Sequence, residues 1–411
     1  MKDINYLRQV MRMANKPGFR YWVLIGMVLI AGFSQGMLLP VLAVLLENAG
    51  TSSAANGLNA AALYIGIILV SPFIEQPVRK YGYKPVILTG LVLVTISVML
   101  IPLWQAFWFW FVLRMIVGIA DNLIHFSTQV WISTTADPAK RGRQLALYGL
   151  SFGLGFGLGP MTVRLLDVNL YLPFIISALL SLIALCFMLY LKNEYPSGDV
   201  ETASKLGTIG RYKKVIRLAW FALLPGFCYG YLEASIHGNY PVYAMRMGID
   251  LELTTMFLLP GFVFGSLVTQ FPLGMLSDRI GRSRVLLGLM VAGAVIFFIM
   301  PLIEQSSVLL FSGFVLTGML LGSLFSLGIT YLADLVPADL LPTGNVMTAV
   351  LFGFGSMTGP VIGGVLIDTV GSGAVYLSIG GMLTLSALAG VLFEYRKSSA
   401  RLNKTEKKLT A

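Results

Sequence analysis

An all-α integral membrane protein, with twelve transmembrane helices forming two parallel six-helix repeats around a central cavity, is the fold the sequence predicts. Three observations predict it. Of 411 residues, 56% are hydrophobic and only 12% charged, with a mean hydropathy of +0.80, whereas soluble domains carry about 25% charged residues. The apolar stretches are unbroken and of bilayer-spanning length, about 20 residues each as helix, without the short alternating segments of a membrane barrel. The chain also repeats itself at an offset of about 200 residues, as transporter-like duplications do.

Each span is bounded by charge, Pro or Gly. The first, 21–46, follows Arg20 and ends at Glu47; the second, 55–78, ends at Arg79 and Lys80; the third, 85–102, runs from Lys84 to Pro102. The fourth, 106–133, is followed by Lys140, Arg141 and Arg143, after which the fifth, 144–166, ends at Asp167 and the sixth, 170–191, at Lys192. In the second half the spans are 218–245, 253–276, 285–303, 307–333, 343–367 and 373–395, set off by Arg217, Arg246, Asp278, Arg284, Glu304, Asp334, Asp368 and Arg396. The expected organisation is a cytoplasmic N-terminus 1–20, a six-helix bundle 21–191, a cytoplasmic linker 192–217, a second bundle 218–395 and a basic cytoplasmic tail 396–411.

Orientation follows from the lysines and arginines, which are retained on the cytoplasmic side. With the N-terminus inside, Arg114 falls within a span and only Arg164 and Arg246 fall outside; every other Lys and Arg is cytoplasmic. Both termini are therefore expected in the cytoplasm of a cell (inner) membrane, with no cleaved signal. The net charge of +10 then reports topology and contact with anionic lipid headgroups, not nucleic-acid binding. Cys186 and Cys228 lie inside apolar stretches and supply neither a disulfide framework nor a metal site. No metal, cofactor or catalytic constellation is expected, which argues against an embedded transferase; the lack of a sizeable signalling domain argues against a membrane sensor.

The duplication is carried by Gly155, Gly159 and Pro160, which recur as Gly355, Gly359 and Pro360, and by Gly118 falling on Gly318. These glycines suit close helix packing. Between spans eight and nine the run from Gly274 to Arg284, with Asp278, Arg279, Gly281 and Arg282, resembles the loop signature of the major facilitator superfamily. Arg114 with Gly118 resembles that family's span-four motif, and the two Gly-Pro elements resemble its span-five motif and the counterpart in span eleven. The resemblance covers the whole chain. It implies secondary transport by alternating access, in the branch that exports drugs and metabolites by antiport. Two departures stand out: the copy after span two reads Glu75 to Gly82 with Arg79 in place of the acid, and Val163-Arg164 stands where span eleven has Gly363-Gly364.

Asp278 at a cytoplasmic helix end is expected to act as a conformational latch, meeting the N-terminal dipole of span five around residues 142–145, with Gly274 allowing close helix approach. Ionisable groups inside the membrane are costly and mark functional sites. In span four Arg114, Gly118, Asp121 and His125 share one helical face; in span seven Glu233 is followed one turn later by His237. Each histidine is expected to pair with its neighbouring carboxylate, and Asp121 and Glu233 to face a common cavity from opposite repeats, one carrying a coupling proton and the other contacting substrate. Arg114 lies about 10 Å from Asp121 along the helix, too far for a direct pair unless its side chain bends. Gln35, Tyr229, Tyr231, Asn239 and Asn345 are further cavity candidates, Trp22, Trp104, Trp108 and Trp110 interface anchors, and Arg164 and Arg246 snorkelling surface charges.

The reading is a monomeric, proton-coupled exporter of amphipathic or cationic small organic molecules. An uptake permease, a lipid-linked solute flippase and a non-transporting sensor are the alternatives.

Overall fold

The computed structural model describes residues 17–137, 140–196 and 208–409. Among them twelve helices are long and apolar enough to cross a membrane: α1 Gly18–Asn48, α2 Ser53–Val70, α3 Tyr83–Leu103, α4 Phe107–Thr135, α5 Arg141–Asp167, α6 Leu172–Tyr190, α7 Ile209–Met247, α8 Leu251–Ile280, α9 Arg282–Ile303, α10 Ser307–Leu335, α11 Leu341–Thr369 and α12 Ala374–Arg396. Helix is what lipid demands, because every backbone polar group must find its partner inside the segment. Large apolar side chains such as Leu69, Ile96, Leu179, Val295, Leu309 and Leu388 remain exposed, as a lipid-facing surface requires.

The two halves share one packing scheme. α1 packs on α5 as α7 packs on α11, α2 on α4 as α8 on α10, and α3 on α6 as α9 on α12. Small residues sit at matching seams. A Cβ added to Gly118 would run into the Leu63 carbonyl of α2, and one added to Gly318 into the Phe262 carbonyl of α8. Gly155 meets Leu29 and Phe33 of α1, and Gly355 meets Phe227 and Tyr231 of α7, in the same way. The duplication also places Trp131 Nε1 on Glu194 Oε2 at 2.8 Å in one half and the Tyr331 hydroxyl on Glu394 Oε1 at 2.5 Å in the other. Both pairs lie 200 positions apart, yet the donors differ in type, so the match is hidden from a search for identical residues.

Several boundaries depart from expectation, each for a local reason. The second span ends at Val70 rather than 78, and a separate short helix, Glu75–Tyr81, follows. Pro72 cannot donate to the carbonyl of Ile68 one turn back, and the carbonyl of Ile67, bonded by the Ser71 N–H at 3.1 Å, also accepts from the Ser71 hydroxyl at 2.7 Å and from Asn122 Nδ2 of α4 at 2.9 Å. The seventh helix begins well before 218, so part of the expected linker is helical. Its axis breaks at Ala219, whose φ of −145° and ψ of 29° are not helical. Residues 197–207, Pro138 and Ala139, the N-terminal 1–16 and residues 410–411 lie outside the described residues. The last helix continues past 396 to Leu409, so most of the expected tail is helical as well. In α5 the helix tightens to 3-10 form over Gly159–Asp167, while α11 stays α-helical through Pro360.

The tryptophans divide. Trp22, Trp104 and Trp108 are exposed at span ends, but Trp110 is buried and donates Nε1 to the Ile101 carbonyl at 2.8 Å, fixing the α3–α4 connection.

Candidate functional site

Halfway along the spans, polar side chains from both halves converge on α2, α4, α5, α7 and α11. Arg114 of α4 is fully buried. Its Nη1 donates to Asn59 Oδ1 of α2 at 3.2 Å, while Nε and Nη2 have no hydrogen-bond partner among the described residues. Arg114 therefore turns to α2 and does not pair with Asp121. Asp121 is 2% exposed, with Oδ2 buried and unpartnered. The rise of the helix separates the two groups, and Asn59 gives the guanidinium a nearer oxygen.

The expected histidine–carboxylate pairs do not form. His125 Nδ1 lies 2.7 Å from the Tyr148 hydroxyl of α5, and His237 Nδ1 lies 3.0 Å from the backbone carbonyl of Glu233. A side chain one turn along a helix reaches back to the carbonyl four residues earlier more readily than to a carboxylate that projects outward. Glu233 instead has the Tyr229 hydroxyl 3.5 Å from Oε1, at the limit of hydrogen-bond geometry. Nε2 of both histidines is buried and unpartnered among the described residues.

Tyr64 of α2 is 1% exposed and lies close enough to Glu233, Arg114 and Asp121 to feel each of their charges, with Ser356 of α11 alongside. Asp121 on α4 of the first half and Glu233 on α7 of the second thus both act on the Tyr64 phenol. An aromatic series links the two histidines: His125 to Phe152 at 5.0 Å, Phe152 to Phe156 at 5.7 Å, and Phe156 to His237 at 4.7 Å between ring centres. Tyr229, Phe325 and Phe352 form a second aromatic cluster beside Glu233.

Other candidates fall elsewhere. Gln35 is buried on α1, next to Gly36, which packs against Phe156. Tyr231 and Asn239 hold the second half together, bonding Ser378 at 2.6 Å and the Pro360 carbonyl at 3.0 Å. Asn345 is exposed. Tyr64, Asn59 and Tyr148 are absent from the sequence-based candidates; a Tyr or Asn inside an apolar span is the available signal, and it is shared with many packing residues.

Among the described residues no helix N-terminus bonds to Asp278. Asp278 pairs with Arg282 at 3.1 Å, and Arg282 also binds Asp334 at 2.9 Å and the Thr330 carbonyl, all within the second half. Gly281 caps α8 with φ of +99°, while Arg279 is exposed. A Cβ at Gly274, Gly142 or Gly149 would meet nothing within 4 Å. The close approach expected at Gly274 is therefore absent in this conformation. Farther along the same seam Gly153 and Gly157 do contact Leu267 and Val263. The acid-at-helix-terminus arrangement occurs instead at the opposite end, where Asp368 of α11 accepts from the backbone of Ser53 and Ala54 at the start of α2.

The sequence profile described as Major Facilitator Superfamily matches residues 24–265 and 253–411. The chain belongs to that superfamily and is a multi-pass membrane transporter, not an enzyme. It is 43% identical over 370 residues to the Bacillus subtilis (strain 168) protein named "Uncharacterized MFS-type transporter YfkF", covering 90% of this chain and 94% of that one. More distant relatives include the Staphylococcus aureus (strain MRSA252) "Quinolone resistance protein NorA", 21% identical over 87% of this chain and 92% of its own, and the Bacillus subtilis (strain 168) "Multidrug resistance protein 2", 22% identical over 84% and 88%. The crystal structure of the nucleoside transporter NupG superposes with a TM-score of 0.74 over 90% of this chain and 98% of its own, at 14% identity. That likeness speaks for the fold alone.

Proposed function

We propose that this transporter is a monomeric secondary exporter of amphipathic or cationic small organic molecules, driven by proton antiport and working by alternating access in a cell membrane with both termini cytoplasmic. The observation that carries the reading is a pair of carboxylates inside the spans, the buried Asp121 of α4 and the half-buried Glu233 of α7, whose charges both act on Tyr64 and neither of which is in an ion pair with a basic side chain among the described residues. Arg114 is engaged by Asn59, which leaves Asp121 available to a cationic ligand. Glu233, beside Tyr229 and an aromatic cluster, is the proton carrier in this scheme. The names of the quinolone- and multidrug-resistance relatives support export of drug-like molecules. The lopsided distribution of Lys and Arg supports the orientation.

Purified protein in liposomes, tested against a panel of cationic and amphipathic compounds under an imposed pH gradient, examines the proposal. Glu233→Gln is expected to abolish pH-driven transport while sparing substrate exchange, and Asp121→Asn to weaken binding of cationic substrates. Reversing the gradient in the same assay distinguishes export from uptake.

A further inference from the structure

At the end away from the termini, the two halves are joined by charged groups that the sequence suggested were merely snorkelling. Arg246 at the end of α7 binds Glu47 of α1 through Nε at 2.7 Å and Nη2 at 3.2 Å, and binds Asp368 of α11 through Nη1 at 2.7 Å. Such forked guanidinium–carboxylate bonding is directional as well as strong. Asp368 also accepts from the backbone N–H groups of Ser53 and Ala54 at 3.1 and 2.9 Å, where the first turn of α2 favours an anion. One cluster therefore ties α1 and α2 of the first half to α7 and α11 of the second.

The pseudo-symmetric seam between α5 and α8 is held more simply. Arg164 meets Glu252 at 2.5 Å, with side chains 59% and 50% exposed. In the Arg246 cluster the corresponding exposures are 30% for Arg246, 14% for Glu47 and 26% for Asp368. Exposed pairs contribute little after solvent screening. The less exposed, three-membered cluster is the stronger of the two ties.

We propose that Glu47, Arg246 and Asp368 form the principal gate on this side of the transporter, and that the Arg164–Glu252 pair is secondary. The gate rests on the alternating-access reading and goes beyond it by naming which contacts must break. Arg246 and Asp368 belong to the same half, so their bond survives when the halves part. The Arg246–Glu47 fork and the Asp368 bonds to α2 do not. Removing Arg246 has a further effect, since it leaves Glu47 and Asp368 as like charges facing each other across the seam.

The test is a distance measurement on full-length protein in lipid nanodiscs. Spin labels are placed at Ala49→Cys and Val370→Cys, on opposite halves, in a Cys186→Ser, Cys228→Ser background. Arg246→Gln is expected to raise the long-distance, gate-open population by about fivefold, the lower end of typical coupling between sites. Adding Glu47→Gln to that variant should recover much of the shift by removing the repulsion. Arg164→Gln should change the population by less than about twofold. A distribution in Arg246→Gln that matches the parent overturns the proposal, as does an equal shift from Arg164→Gln. Should Arg246→Gln fail to fold, Glu47→Gln alone breaks the fork without creating a like-charge pair; no shift in that variant has the same force. The readout needs neither substrate nor protons, so its failure leaves proton coupling standing, and loss of proton coupling leaves the gate standing.

Discussion

A buried guanidinium with one hydrogen bond is an expensive arrangement, and Arg114 is fully buried with its single described bond going to Asn59. Hydrogen bonds to charged groups contribute about 1.5–3 kcal/mol, so Asn59→Leu should lower stability by that order, read as a reduced Tm in detergent. An unchanged Tm would mean that Arg114 finds another partner. The same variant frees the guanidinium to swing towards Asp121, and weaker binding of cationic substrates is the expected companion effect. At this scale the sequence is partly legible. Asp121, Glu233 and His237 stand out because ionisable groups inside apolar spans are rare. Their partners do not: Tyr64, Asn59 and Tyr148 carry no charge, and a tyrosine on an apolar helix is indistinguishable from a packing residue until the neighbouring helix is placed. Histidine pairing is not legible in the same way, because i to i+4 spacing sets proximity on a helix face, while the backbone carbonyl at i−4 competes for the ring nitrogen.

Between elements, contact is governed by the glycine seams. Gly118→Leu would drive a branched side chain into the Leu63 carbonyl of α2, a backbone group that cannot rotate away. The expected cost exceeds about 3 kcal/mol, seen as loss of monodisperse protein, whereas Gly274→Ala meets open space in this conformation and should leave expression and Tm unchanged. The cluster of Asp278, Arg282 and Asp334 makes a separate prediction. Asp278→Asn should slow transport while leaving membrane insertion intact, and Arg79→Asp, in the short helix Glu75–Tyr81 where Arg79 pairs with Glu75 one turn away, should matter less; initial rates in vesicles compare the two. Repeat spacing exposes the seams in advance because identical glycines recur at a fixed offset. The end of α2 at Val70, the kink at Ala219 and the 3-10 stretch from Gly159 are hidden, since hydropathy reports suitability for lipid and not the local helix geometry.

For the whole molecule, two equivalent bundles meet at one end through Arg246, Glu47 and Asp368, whereas at the other the pairs of Arg282 with Asp278 and Asp334 stay within the second half. The sequence indicates the duplication, the span count and the position of the buried charges. It does not indicate which end carries the charged tie between the halves, because that depends on which of several ion pairs form, and residues at span ends look alike whether they pair across a seam or meet water. The central proposal is that Asp121 and Glu233, one in each half, couple protons to substrate. The most direct test is proton flux with a pH-sensitive dye in proteoliposomes carrying the Asp121→Asn, Glu233→Gln double variant, with wild type in parallel and a substrate taken from the compound panel. Substrate-dependent proton movement should disappear in the double variant although the protein inserts and remains monodisperse; full proton-driven transport by that variant would overturn the proposal.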